Sequence, residues 1–187
     1  YTGPSFNIAN ANDDDETQNN STQIVENAVK NFTSNVIRII NNLKASTLNV
    51  TLDNVNINAS KSNNAALSVE GAGNTTITLK GDNTLTSDGK HAGLEHNEKS
   101  DGGATTGKLT ITSGNKNGSN TGSLKATGGS GAAGIGSSNG NGAGTIEITG
   151  GNITANGGNN AAGIGSGYNS NGNTTINIEG GTIVKAQ

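Results

Sequence analysis

TIEITGGNITANGGNNAAGIGS, from Thr145 to Ser166, is the stretch on which the fold turns. It falls into three short segments, TIEIT, NITAN and AAGIGS, separated by Gly-Gly and by a Gly-Gly-Asn-Asn run. Apolar and polar residues alternate in the first two, the period of a strand with one buried face. Glycine and asparagine at the joints adopt the positive φ angles that turn a chain from one direction to the next. One copy therefore predicts three strands and three corners.

The same pattern runs outward in both directions. Upstream stands GSLKATGGSGAAGIGS (Gly122–Ser137), and downstream TINIEGGTIVKA (Thr175–Ala186). Older copies, NVTLDNVNINASKSNNAALSV (Asn49–Val69) and TITLKGDNTLTSDGKHAGLEH (Thr76–His96), keep aliphatic residues at corresponding points. The step between copies varies from Val50–Ile77 at the short end to Leu94–Ile135 at the long end, the difference falling in Gly/Asn/Ser loops. Repetition of this kind predicts an all-β fold, a right-handed parallel β-helix of about four to five coils with three strands each.

Matching copies by their aliphatic residues predicts the stacked rows. The first wall takes Val50/Leu52, Ile77/Leu79, Leu109/Ile111, Ile146/Ile148 and Ile176/Ile178. The second takes Ile57, Leu85, Leu124, Ile153 and Ile183, with Ala59, Ala126 and Ala155 beside them; the third takes Leu67, Leu94, Ile135 and Ile164, with Ala65, Ala92, Ala133 and Ala162. Ala66, Gly93, Gly134, Gly136, Gly163 and Gly165 are expected on the outer face of the third wall. An antiparallel hairpin array is the competing architecture, since Gly-Gly and Asn-Gly also mark hairpins. Residues recurring in phase across whole copies favour parallel stacking. A lone coil buries too few side chains to offset the entropy of ordering its backbone, so coils must stabilise one another and the two ends are weak points.

Composition agrees with a thin core and excludes several functions. Only 29% of the 187 residues are hydrophobic, with two Phe, two Tyr, no Trp and no Met, while Gly numbers 30. Without cysteine there is neither a disulfide framework nor a thiolate metal site. Eleven Lys and Arg against 14 Asp and Glu, scattered along the chain, form no basic stripe for nucleic acid. No apolar run approaches the ~20 residues of a membrane span. A start at Tyr1 rather than Met fits a mature secreted protein, which places the expected location outside the cell, at the cell surface.

The end segments differ from the repeats. Residues 1–20 are polar, carry the single proline, Pro4, and read as a flexible arm; residues 21–45 read as a capping segment, and 46–187 as the β-helix. Asp13, Asp14, Asp15 and Glu16 are the one candidate for a Ca²⁺ cofactor, but they lack the spacing of a calcium loop and read as a solvated acidic tail. Val25, Val29, Phe32 and Val36 recur at helical spacing, which predicts a short capping helix over Thr22–Val36, whereas NVIRII (Asn35–Ile40) reads as a strand. At the other end Ile178 and Ile183 have no evident cover but Lys185. Tyr1, Pro4, Phe6 and Ile8 of the arm, with Ile178 and Ile183 of the open coil, are accordingly the expected self-association residues, and another copy of the chain the expected partner.

Catalytic and cofactor patterns are largely missing. Paired acids, or acids beside a catalytic Arg or Lys, are not visible on an outer wall, and Arg38 falls outside the regular coils. GAAGIGS resembles a phosphate loop without the helix such loops need, so tight coil geometry explains its glycines better. His91, Glu95, His96 and Glu98 cluster in GKHAGLEHNEK, where His96 takes the slot of Val69, Ser137 and Ser166 and reads as a coil-edge residue. Sequons such as Asn49-Val-Thr and Asn173-Thr-Thr are expected by chance in so Asn/Thr-rich a chain.

GGNITANGGNNAAGIGSG (Gly150–Gly167), with NVTLDNVNINAS (Asn49–Ser60), resembles repeats in large surface proteins of anaerobic bacteria, often labelled adhesin-like or carbohydrate-binding. The resemblance covers about Asn35 to Ala186; it implies a pectate-lyase-like solenoid and assigns no catalytic residue. The expected function is a non-enzymatic structural or adhesive extracellular protein that associates head to tail into a fibre or layer. A carbohydrate-binding module is the alternative, with Tyr168 the sole aromatic of the coils for stacking a sugar, and glycans or a host surface the partner. Third is an ice-binding ladder of Thr76, Thr145 and Thr175 with Thr78 and Thr110, interrupted by Lys108, Glu147 and Asn177.

Overall fold

The structure, a computed structural model, describes residues 6–10, 22–26, 35–98, 106–114 and 122–187. The chain enters through β1 (Phe6–Asn10) and β2 (Thr22–Glu26). Five turns of three strands follow: β3 (Ile37–Asn41), β4 (Thr47–Asp53) and β5 (Asn56–Asn58); β6 (Leu67–Glu70), β7 (Asn74–Lys80) and β8 (Asp82–Thr86); β9 (Leu94–Glu95), β10 (Leu109–Ser113) and β11 (Ser123–Thr127); β12 (Ile135–Gly136), β13 (Gly144–Ile148) and β14 (Asn152–Asn156); β15 (Ile164–Gly165), β16 (Thr174–Ile178) and β17 (Thr182–Ala186). The first wall runs β2-β4-β7-β10-β13-β16, the second β5-β8-β11-β14-β17 and the third β1-β3-β6-β9-β12-β15. Each described pairing is parallel, so the chain is an all-β parallel solenoid of about five coils.

Corners follow the composition. Between the first and second walls the chain turns through positive φ at Asn54, Gly81, Gly151 and Gly181, the residue types for which that region is least costly.

At the N-terminal end the structure corrects the expected helix. Thr22–Glu26 is strand β2, in parallel register with β4, with Thr22 opposite Asn49 and Val25 opposite Leu52. A helix this short is marginal by itself, whereas the open edge of β4 offers a full row of backbone hydrogen bonds. Phe6–Asn10 of the predicted arm likewise lies along β3. Strands from 1–20 and 21–45 thus extend two walls of the solenoid; the predicted strand at Asn35–Ile40 is β3. Tyr1, Pro4, the acids Asp13, Asp14, Asp15 and Glu16, and residues 27–34 lie outside the described residues.

The third-wall ladder stands as expected, Leu67, Leu94, Ile135 and Ile164 in line, and extends back through Ile37 to Phe6. On the first wall Ile148 lies between Ile111 and Ile178, and Val50 opposite Ile77. The rows shift by two residues between β7 and β10, however: Ile77 faces Ile111, and Leu109 faces Thr75. β4 and β7 are seven-residue strands with three inward positions, β10 and β13 five-residue strands with two, so matching aliphatic to aliphatic skipped the slot filled by Thr75.

The second wall is corrected in the same way. Leu85 faces Ala126, and Leu124 faces Asn83, so Ala59 is not in line with Ala126 and Ala155. Asn83 is buried in an aliphatic row because it serves the corner: its Oδ1 accepts from Val55 N at 2.9 Å and its Nδ2 donates to Ser123 O at 3.0 Å. A buried amide so partnered avoids the desolvation cost of an unpaired one.

Thr75 has no such compensation. Between Leu48 and Leu109 its buried Oγ1 has no hydrogen-bond partner among the described residues. Thr75→Val, which keeps the shape and removes the hydroxyl, is expected to raise the unfolding free energy by about 1–2 kcal/mol. Urea denaturation of the two proteins side by side measures it, and an unchanged or lower midpoint contradicts the unpaired hydroxyl.

Candidate functional site

Outward positions on a parallel wall form columns as regular as the inward ones. On the third wall one column reads Arg38, Ser68, Glu95, Gly136, Gly165, and Glu70 stands opposite Ile40 in the next. The later coils carry buried glycines in this column, and the earlier ones Arg38, Ser68 and Glu95. Arg38, expected outside the regular coils, is therefore in β3 and shares a face with two carboxylates.

Glu70 and Glu95 are each anchored. Arg38 grips Glu70 with two prongs, Nε to Oε1 at 2.7 Å and Nη2 to Oε2 at 2.5 Å, and Ser68 Oγ donates to Oε1 at 3.2 Å. Paired N–H donors on one carboxylate fix its orientation as well as its charge. Glu95 Oε2 lies 2.9 Å from His91 Nδ1 and accepts from Ala92 N at 3.0 Å, while Oε1 accepts from Asn97 Nδ2 at 3.0 Å. The hydrogen bond to Glu95 raises the His91 pKa above its usual value, against the opposing effect of partial burial and with help from the carboxylate charge.

Two clefts flank this cluster. One, about 240 Å³, lies against Ser68, Glu70, Glu95, Asn97 and Thr106. Its neighbour, about 300 Å³, lies against Arg38, Asn64, Ser68, Glu70, His91 and Glu95. Ser68, Glu70 and Glu95 line both.

The four ionisable residues of GKHAGLEHNEK part company here. His91 and Glu95 face the cleft. His96 points inward and is buried, with Nδ1 2.6 Å from Ala143 O and Nε2 2.9 Å from Gly107 O, tying two successive coils at one corner. Glu98 reaches further and accepts hydrogen bonds from the backbone and side chain of Asn173. Among the described residues no group of three or more His, Cys, Asp or Glu could hold a metal.

Burial lowers the His96 pKa below 6.5, more than its two carbonyl contacts raise it. A depressed folded-state value stabilises above the unfolded value and is lost as pH falls from about 6.5. His91 has the opposite sign, its contribution present below about 6.5 and fading as pH rises. Comparing wild type with His96→Ser, the residue of the equivalent slots Ser137 and Ser166, isolates the first effect. Urea titrations at pH 7.5 and 5 are expected to show a larger loss in acid for the wild type; equal losses contradict the assignment.

The threonine array is regrouped by the register. Thr76 faces Thr110, Thr110 faces Glu147, Thr78 faces Thr112, and Thr145 faces Thr175, so no unbroken column joins Thr76 to Thr145. Lys108 Nζ and Thr110 Oγ1 both donate to Glu147, and those bonds hold its carboxyl below the ordinary range. Tyr168, exposed, sits in the loop after β15, bonded through its backbone to Gly131 and Gly140. Ala66, Gly93, Gly134, Gly136, Gly163 and Gly165, expected to face outward, are buried: a Cβ on Gly134 would lie 2.6 Å from Asn156 N, and one on Gly163 2.4 Å from Gln187 N.

Exposure rises in the coil of β15, β16 and β17. Ile178 is 51% and Val184 64% exposed, whereas Ile148 and Ile153, the ladder mates of Ile178 and Ile183, are fully buried.

The cleft was within reach of the sequence. Setting Ile135-Gly136-Ser137 over Leu94-Glu95-His96, Leu67-Ser68-Val69 and Ile37-Arg38-Ile39 shows charge entering one column only where copies depart from the template. No protein-family model, curated protein or solved structure matches the chain. Among the described residues no helix is long and apolar enough to cross a membrane.

Proposed function

We propose that the chain is a non-catalytic structural or adhesive protein of the cell exterior whose coils stack end to end with those of further copies. The supporting observation is that every described wall grows by parallel strand addition, a geometry that a coil of a second copy can continue. Strands β15, β16 and β17 end their walls on one side, β1, β2 and β5 on the other. Parallel walls carry complementary hydrogen-bonding edges at their two ends, so one copy's β1 can continue the third wall beyond β15 of another. Such a contact is heterologous and propagates into a filament unless rotation closes it. The repeat resemblance to bacterial surface proteins supports the extracellular placement.

Sedimentation velocity over a concentration series tests the reading. Growing particles that appear as rods by electron microscopy are expected, together with their loss in Ile178→Lys; a monomer at every concentration contradicts it. Carbohydrate binding is the second reading, favoured by the polar clefts around Glu70 and Glu95.

A further inference from the structure

Two successive coils turn the corner from the third wall to the first with the same dipeptide. Gly136 lies opposite Gly165 and Gly144 opposite Thr174, so Asn141-Gly142 in SSNGNGAG (Ser137–Gly144) and Asn171-Gly172 in SGYNSNGNT (Ser166–Thr174) hold equivalent places, the later corner being one residue longer. Their surroundings differ. Asn141 is clamped: its Nδ2 donates to Ser138 Oγ at 2.8 Å, and its backbone O accepts from Ser137 Oγ at 2.5 Å. The later coil has Gly167 where Ser138 stands, and it commits Ser166 Oγ to Thr174 Oγ1 at 2.7 Å, so neither tie reaches Asn171. Asn171 is exposed, and neither its side chain nor the Gly172 N–H has a hydrogen-bond partner among the described residues.

We infer that Asn171-Gly172 is a site of spontaneous covalent modification, at which the side-chain amide is lost through a cyclic imide and a carboxylate takes its place. The chemistry needs only water. Gly172 N gives up its proton to solvent and attacks Asn171 Cγ; the Cγ–Nδ2 bond breaks, and ammonia leaves with a proton from solvent. Water then opens the five-membered ring at either carbonyl. The products are aspartate at position 171, or an isoaspartate that carries the backbone through its own side chain. Glycine on the C-terminal side admits the ring because no Cβ crowds the attacking nitrogen.

Four Asn-Gly pairs fall among the described residues, and the fold restrains three of them. Gly140 N donates to Tyr168 O at 2.8 Å and Gly157 N to Gln187 O at 2.6 Å, so at Asn139 and Asn156 the attacking nitrogen is already bonded. At Asn141-Gly142 the side chain under attack is held instead, by the bonds above, and Gly142 is buried. Of the four, Asn171-Gly172 alone has both reacting groups untied, in a corner outside the strands, where local opening is least costly. The product also bears on the coil beneath. A Cβ on Gly172 would lie 3.1 Å from Glu98 Oε2, and Glu98 holds the backbone and side chain of Asn173, so a carboxylate at 171 adds like charge beside that tie.

Peptide mapping of the folded full chain by mass spectrometry, after incubation in mildly alkaline buffer, reads the conversion at each of the four pairs. Asn171 is expected to convert first, to both aspartate and isoaspartate, and at least about fivefold faster than Asn139, Asn141 or Asn156, the scale of breaking one hydrogen bond before attack. Incubation in urea, where the fold restrains none of them, is expected to bring the four rates together, since all share the dipeptide. No conversion at Asn171 in the folded chain, or conversion of any of the other three ahead of it, overturns the site. Aspartate without isoaspartate overturns the imide, and a lead of Asn171 that persists in urea overturns its origin in the fold.

Discussion

Ile148→Ala is expected to lower the unfolding free energy by about 3–5 kcal/mol, the upper part of the range for truncating a buried aliphatic side chain. Ile148 is fully buried and lies between Ile111 and Ile178 in the first-wall ladder, so the cavity opens inside the stack and the parallel backbones on both sides cannot close over it. The same change at Ile178, half exposed one coil later, is expected to cost under about 1 kcal/mol, since little apolar surface is lost from contact. Because coils stabilise only their neighbours, the Ile148 variant is also expected to unfold less cooperatively, its C-terminal coils opening first. Denaturant melts followed by far-ultraviolet circular dichroism read both quantities; equal effects at Ile148 and Ile178 contradict the ladder.

Gly136→Ala is expected to cost roughly 3 kcal/mol or more, unusual for one added methyl group. Two independent reasons coincide. The residue has φ of +137°, a conformation L side chains rarely adopt, and a Cβ there would lie 1.9 Å from Gly165 O in the next coil. The coil spacing is set by backbone hydrogen bonds, including Ile135 N to Gly163 O at 2.9 Å and Ser137 N to Gly165 O at 3.0 Å, so relief requires breaking them. Gly140 serves as the comparison: it too has positive φ, +85°, but no atom lies within 4 Å of its added Cβ, and Gly140→Ala is expected to cost about 1 kcal/mol. Thermal melts of the two variants separate steric from conformational strain, and similar midpoints contradict the close approach.

How far the sequence revealed this molecule depended on what each residue does in the stack. Rows made of aliphatic residues in every copy, such as Leu67, Leu94, Ile135 and Ile164, were legible because burial demands the same chemistry at each level. Rows that change chemistry were not. Thr75 and Asn83 occupy core slots with polar side chains, and matching by hydrophobicity stepped over both, displacing the later copies by two residues on the first and second walls. The helix expected at Thr22–Val36 failed for another reason: TQIVE fits both periods, and the open edge of β4 decides between them. The cleft was missed because its parts are separated along the chain, Arg38 from Glu70 by 32 residues, and Ile37-Arg38-Ile39 was not aligned with Leu67-Ser68-Val69 as a copy of the third wall.

Stacking of successive copies as parallel coils, rather than folding of each copy into a hairpin, is what the whole account depends on. A pair of engineered disulfides in this cysteine-free chain distinguishes them directly. In the solenoid Lys125 lies opposite Thr154 on adjacent strands of the second wall, and neighbouring strands about 4.8 Å apart fall within disulfide reach. A hairpin turning at Gly150-Gly151 would instead set Glu147 opposite Thr154, residues that here belong to different walls. Mild oxidation is predicted to cross-link Lys125→Cys/Thr154→Cys and to leave Glu147→Cys/Thr154→Cys as free thiols; the reverse outcome contradicts the solenoid.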